Sequence, residues 1–143
     1  MFMTKTILTV DDDAQIRRIY TRMFSGSDYV IVQAADGAEA LDKVREHPDL
    51  SLVVSDCDMP TMDGPEMTTR LRADEHYHDL PIILTSGRNN WDRAEKAGAT
   101  AYLSKPLDAR ELRVLVEHCL KIGSHQKLLE TSLPLDHLVI MPL

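Results

Sequence analysis

From residue 7 to about residue 120, short apolar runs alternate with segments of helical period, the pattern of repeated βα units that builds a parallel sheet. Residues 7–10, 29–33, 52–55, 82–86 and 101–103 are the predicted strands. The first, third and fourth of these are almost wholly apolar, as strands buried on both faces must be. Helix starts follow at Asp13, at Asp36 and at Asp108, the last with Glu111 three residues on in the manner of a capping box. Pro65 opens the third helix, where a missing N–H costs nothing, and Gly123 closes the last one. The expected fold is a doubly wound α/β sheet.

Composition narrows the reading. At 143 residues one core is expected, and 43% apolar with 27% charged residues is globular composition. A net charge of -7 repels a phosphate backbone, so direct nucleic-acid binding is not expected. Cys57 and Cys119 lie far apart with no metal-type spacing, which fits a reducing cytosol and neither a disulfide framework nor a zinc site. The apolar run before Asp11 is too short for a signal or a membrane span, so a cytoplasmic protein without a membrane partner is expected.

In an open α/β sheet, ligands bind at the carboxyl ends of the strands. Those ends are polar here: Asp11, Asp12 and Asp13 after the first strand, Asp56, Cys57 and Asp58 after the third, Ser86 after the fourth, Lys105 and Pro106 after the fifth. Several carboxylates at one edge need a counter-charge, and oxygen ligands without His or Cys favour Mg²⁺. A carboxylate beside such an ion can attack phosphorus to give an acyl phosphate, whose oxygens a lysine and a hydroxyl then neutralise. Lys105 and Ser86 are the right types. Plainer roles belong to Asp13 as a helix cap, to Met59 and Met62 as loop packing, and to Cys57 as a passive neighbour of the nucleophile.

The motifs ILTVDDD (7–13), ADGAEAL (35–41), LVVSDCDMPTMDG (52–64), LPIILTSG (80–87) and AGATAYLSKPL (97–107) together resemble the receiver domain of two-component response regulators. The resemblance implies the flavodoxin-like, five-stranded parallel sheet in order 2-1-3-4-5. It implies Asp56 as phosphoacceptor, with Ser86 and Lys105 assisting. Asp11, Asp12 and Asp56 would hold Mg²⁺, with the backbone carbonyl of Asp58, while Ser86 and Tyr102 would form the switch. The implied function is to accept a phosphoryl group from a sensor histidine kinase or a histidine phosphotransfer protein and change shape toward a downstream protein. Such a domain assists its own phosphorylation and dephosphorylation and is not an enzyme on outside substrates. A homodimer is compatible with the resemblance.

Other readings are poorer. The Asp56, Asp58 spacing also resembles the haloacid dehalogenase phosphatases, but Pro60 stands where that motif has Thr or Val, and the chain is short for that core. A Ca²⁺ loop is interrupted by Met59 and Pro60. A degenerate receiver that only binds protein would lack a phosphorylation residue, and none is lacking. Two departures from the receiver pattern stand out. The span from Ser86 to Gly98 is about one turn short, so the fourth helix, near 90–97, should be short, with Trp91 filling space. Residues 1–123 make the receiver, and 124–143 form a tail that is either docked or a truncated linker, with seven apolar residues in its last eleven. Residues 137–141 are the expected docking strand, near the shortened helix. Asp58 and Arg88, each two residues past a site residue, are expected to pair across the site's mouth.

Overall fold

The computed structural model describes residues 4–26, 28–131 and the pair 139–140. In chain order the elements are β1 (Lys5–Val10), α1 (Ala14–Phe24), β2 (Tyr29–Ala34), α2 (Gly37–Glu46), β3 (Leu50–Asp56), α3 (Gly64–Arg72), β4 (Ile82–Ser86), α4 (Trp91–Ala97), β5 (Ala101–Ser104), α5 (Ala109–Ile122), α6 (His125–Leu128) and β6 (Val139–Ile140). The first five strands are parallel in the order β2-β1-β3-β4-β5, as expected. β6 adds an antiparallel edge, Ala101 opposite Ile140 and Tyr102 opposite Val139. Residues 137, 138 and 141 of the expected docking strand lie outside the described residues.

Alternation along each strand divides the core between the two sheet faces. Leu8, Val10, Val53, Ile82, Leu84 and Tyr102 pack with Ala40, Val44, Met67, Leu71 and Ala94 of α2, α3 and α4. Ile7, Leu52, Val54, Ile83, Ala101 and Leu103 pack with Tyr20, Phe24, Leu112, Leu115 and Val116 of α1 and α5. Both faces are covered, which is why the central strands read as continuous apolar runs.

The helix starts obey local chemistry. Asp13, Asp36 and Asp108 each accept a bond from a backbone N–H in the first turn of α1, α2 and α5. α3 begins one residue earlier than expected, at Gly64, with Asp63 capping it and Pro65 in the first turn. α4 has only seven residues and its N-cap, Asn90, makes no side-chain capping bond. Gly98 ends α4 with φ 92°, a left-handed conformation, and a Cβ there would also meet Arg72 Cγ at 3.0 Å.

Two features at the opposite end of the sheet from the strand-end acids have no sequence signature. Arg72 donates to the carbonyls of Gly98 (2.7 Å), Tyr77 (3.1 Å), His78 (3.3 Å) and Leu80 (2.7 Å) and to Thr100 Oγ1 (3.3 Å), which fixes the entry into β4. Burial pushes its guanidinium down to about 10. Beyond Gly123, α6 puts Leu128 fully inside the α5-side core, so the packed body runs past the residue at which the tail was expected to begin.

Candidate functional site

β1 and β3 end side by side, and the register that pairs Val10 with Ser55 brings the next residues, Asp11 and Asp56, to one edge. Both are almost fully enclosed, at 1% and 6% exposure. Asp12 joins them from the surface, and one carboxylate oxygen from each of the three can lie within 4.8 Å of the others. Lys105, carried on the segment after β5, sets its ammonium 3.3 Å from Asp56 and 3.5 Å from Asp11. Asp11 Oδ1 accepts from the Asp13 N–H at 2.9 Å, and Asp56 Oδ1 from the Asp58 N–H at 3.4 Å.

Three carboxylates face one ammonium here. Burial raises the Asp11 and Asp56 carboxyls above the usual range against the pull of Lys105. Burial alone would depress Lys105, but Asp11 and Asp56 outweigh it and hold the ammonium above its ordinary value. Asp11 Oδ2 is buried without a hydrogen-bond donor. An orphaned anionic oxygen inside an all-oxygen cluster of net negative charge is a donor set suited to a hard divalent cation.

The loop from Cys57 to Asp63 folds back on the nucleophile's own strand. Gly64 makes this approach feasible: its N–H bonds Cys57 O at 3.0 Å, and a Cβ there would run into the Asp56 carbonyl. Within the loop Thr61 has φ 68°, an uncommon conformation for a β-branched residue. Cys57 is buried and its thiol is pushed up to about 12 by burial and then by Asp58 and Asp56, which suits an inert neighbour.

The switch candidates form a second layer beside the acids. Ser86, 1% exposed, donates from Oγ to Asp58 Oδ2 at 3.3 Å and accepts from the Arg88 N–H at 3.1 Å. Tyr102 is buried, its hydroxyl donating to Arg88 O at 2.7 Å and accepting from the Asn90 N–H at 3.0 Å. The expected Asp58–Arg88 gate is not formed: among the described residues no ion pair joins them, and Asp58 is turned to Ser86 and Asn90 instead. Sequence reasoning missed Asn90, which reads as an ordinary helix cap.

The model of the response regulator receiver domain family matches residues 7–117. A chemotaxis protein CheY homolog of Campylobacter jejuni is 34% identical over 123 residues, covering 82% of this chain and 94% of that protein. The polar-differentiation response regulator DivK of Brucella ovis is 33% identical over 109 residues, covering 73% and 87%. Among solved structures, chemotaxis response regulator CheY4 of Vibrio cholerae superposes with a TM-score of 0.76 at 28% identity, covering 82% of this chain and 100% of that one. A CheY-like receiver domain protein of Methanospirillum hungatei gives 0.75 at 28%, covering 85% and 97%.

Proposed function

Because this chain belongs to the response regulator receiver family, whose domains serve phosphorylation-dependent two-component signalling, we propose that Asp56 is its phosphoacceptor. The observation that carries the reading is the enclosed Asp56 carboxylate, 3.3 Å from Lys105 and clustered with Asp11 and Asp12. An Asp56 oxygen attacks phosphorus, a P–O or P–N bond of the donor breaks, and the leaving group departs with a proton. The carboxylate becomes an acyl phosphate. Water later attacks the same phosphorus, and breaking the P–Oδ bond returns the carboxylate and inorganic phosphate.

Members of this family typically bind Mg²⁺ through acidic residues, and Asp11, Asp12 and Asp56, with the Asp58 backbone carbonyl, would hold it here. When bound it would neutralise charge on the phosphoryl oxygens. Lys105 supplies a fixed positive charge to the same oxygens and holds the Asp56 carboxylate in place. Ser86 is the hydroxyl within reach of a switch: leaving Asp58 for a phosphoryl oxygen would pull on Arg88 and, through it, on Tyr102.

The donor is a sensor histidine kinase or a histidine phosphotransfer protein, and the output is a shape presented to a downstream protein. On this reading the chain is a signalling domain of the cytoplasm and assists only its own phosphoryl gain and loss, alone or as a homodimer. Two buried free cysteines favour a reducing compartment, and no helix among the described residues is long and apolar enough to cross a membrane. Segment 124–143 is its own tail, with β6 supporting docking on β5 rather than a truncated linker.

Intact-mass spectrometry after acetyl phosphate with Mg²⁺ tests the assignment. One added phosphoryl group in the wild type and none in Asp56→Asn is the expected result. An unmodified wild type, or a fully labelled variant, overturns it.

A further inference from the structure

Asn90 occupies the N-cap position of α4, with φ -112° and ψ 21°, yet its side chain makes no capping bond. The amide is spent elsewhere. Nδ2 donates to Ser86 Oγ at 2.7 Å and approaches both Asp58 oxygens, at 3.4 and 3.2 Å. Oδ1 accepts from Arg93 Nη1 at 3.3 Å, and Arg93 also pairs with Asp63 on the neighbouring loop. The Asn90 backbone N–H meanwhile donates to the Tyr102 hydroxyl at 3.0 Å. With the side chain only 8% exposed, these bonds are made out of water, where a lost partner is expensive.

A cap at this position would serve α4 by accepting an N–H from its first turn. Asn90 forgoes that role and instead bridges three residues that must rearrange together: Ser86, Asp58 and Tyr102. In the resting arrangement Ser86 is committed to Asp58 and Asn90, so its hydroxyl must break away from both to reach a phosphoryl group on Asp56.

We propose that Asn90 is a positioning residue that latches the Ser86 hydroxyl in the unphosphorylated arrangement, an inference that rests on the Asp56 phosphoacceptor reading. Its amide stabilises the resting state and contributes less once Ser86 has moved, so removing it tilts the equilibrium toward the phosphorylated form. A single hydrogen bond of this kind corresponds to a shift of about fivefold.

The experiment is a phosphoramidate titration with Mg²⁺, read by intact mass, on wild type, Asn90→Ala, Asn90→Asp, Ser86→Ala and Ser86→Ala with Asn90→Ala. Thermal melts confirm that each variant is folded. The donor concentration for half occupancy is expected to fall about fivefold in Asn90→Ala. Asn90→Asp keeps the shape but loses the donor and sets a carboxylate against Asp58, so it should fall at least as far. If Asn90→Ala is unfolded, Asn90→Asp carries the test alone. In the Ser86→Ala background the Asn90→Ala shift should vanish, the non-additivity expected of a residue acting through another. Equal titrations for wild type and both Asn90 variants overturn the latch. So does a shift that persists undiminished without the Ser86 hydroxyl, since that marks a packing effect. A wild type that takes no phosphoryl group would instead overturn the phosphoacceptor reading itself.

Discussion

The rings of Trp91 and Tyr102 meet edge to face, centroids 6.0 Å apart and planes at 85°. The Tyr102 hydroxyl bonds the carbonyl of Arg88, and the Arg88 N–H bonds Ser86 Oγ, so the indole stands at the end of a short chain of contacts from the switch hydroxyl. Trp91 is the one tryptophan of the sequence. Its emission, excited selectively, is expected to change when acetyl phosphate and Mg²⁺ are added to the wild type and to stay constant in Asp56→Asn. Constant emission in a wild type that mass spectrometry shows to be phosphorylated would mean that residues 86–91 do not move.

Metal should act on stability as well as on chemistry. In the absence of Mg²⁺ the buried Asp11 carboxylate is held against Asp56 with only partial relief from Lys105, so Asp11→Asn removes a like charge and should leave the metal-free melting temperature unchanged or higher. Bound Mg²⁺ stabilises the folded state by mass action, about 2.7 kcal/mol at one hundred times its Kd. That increment should be large in the wild type and much smaller in Asp11→Asn at equal MgCl₂. Melts with equal increments would remove Asp11 from the metal set.

Legibility differed with the kind of information each residue carries. Asp11, Asp56, Ser86 and Lys105 could be placed because a strand's end is visible in the apolar pattern and the parallel order brings all strand ends to one edge. Their chemistry follows from backbone topology alone. Asn90 and Arg72 were invisible because their roles depend on where a loop turns a side chain. An amide before a helix reads as a cap, and nothing in the sequence separates a capping asparagine from one diverted to a serine four residues earlier. The Asp58–Arg88 pair failed for the same reason: equal offsets from the site say nothing of direction, and Ser86 and Asn90 were nearer partners for the carboxylate. The short fourth helix, by contrast, followed from counting residues between Ser86 and Gly98, and the structure has seven.

His125 gives the fold an acid-sensitive contact. Its Nδ1 lies 2.7 Å from Thr100 Oγ1, the hydroxyl that also accepts the Ile82 N–H and an Arg72 donor, so the imidazole is held neutral as an acceptor. Burial first, then the Arg72 charge, push it down to about 4. The folded value lies below the unfolded one, so the unfolded chain binds the extra proton. Stability from this contact is whole above about pH 6.5 and is lost as pH falls toward 4. His125 is partly open to solvent, so the loss is no more than about 2 kcal/mol. Urea midpoints at pH 7.5 and pH 5 should fall farther for the wild type than for His125→Gln. Equal falls would show that the imidazole does not titrate with folding.

The tail can be dissected because its two parts do different things. α6 belongs to the core through fully buried Leu128, and it is tied to the body by the Gln126 N–H on Asp79 at 2.8 Å as well as by His125. Truncation after Gly123 should therefore cost at least about 1.5–3 kcal/mol from Leu128 alone. Truncation after Thr131 keeps those contacts and removes only residues 132–143, and with them the β6 pairing of Ala101 with Ile140 and Tyr102 with Val139. Two residue pairs add little stability, but they close the outer edge of β5, and an open edge invites pairing with a second copy. The chain ending at Thr131 is thus expected to melt close to the full chain while the β5 amides not bonded to β4 exchange faster with deuterium and the solution mass rises with concentration. If exchange in β5 and the solution mass both match the full chain, β6 does not guard that edge. If truncation after Gly123 melts no lower than truncation after Thr131, α6 is not part of the core.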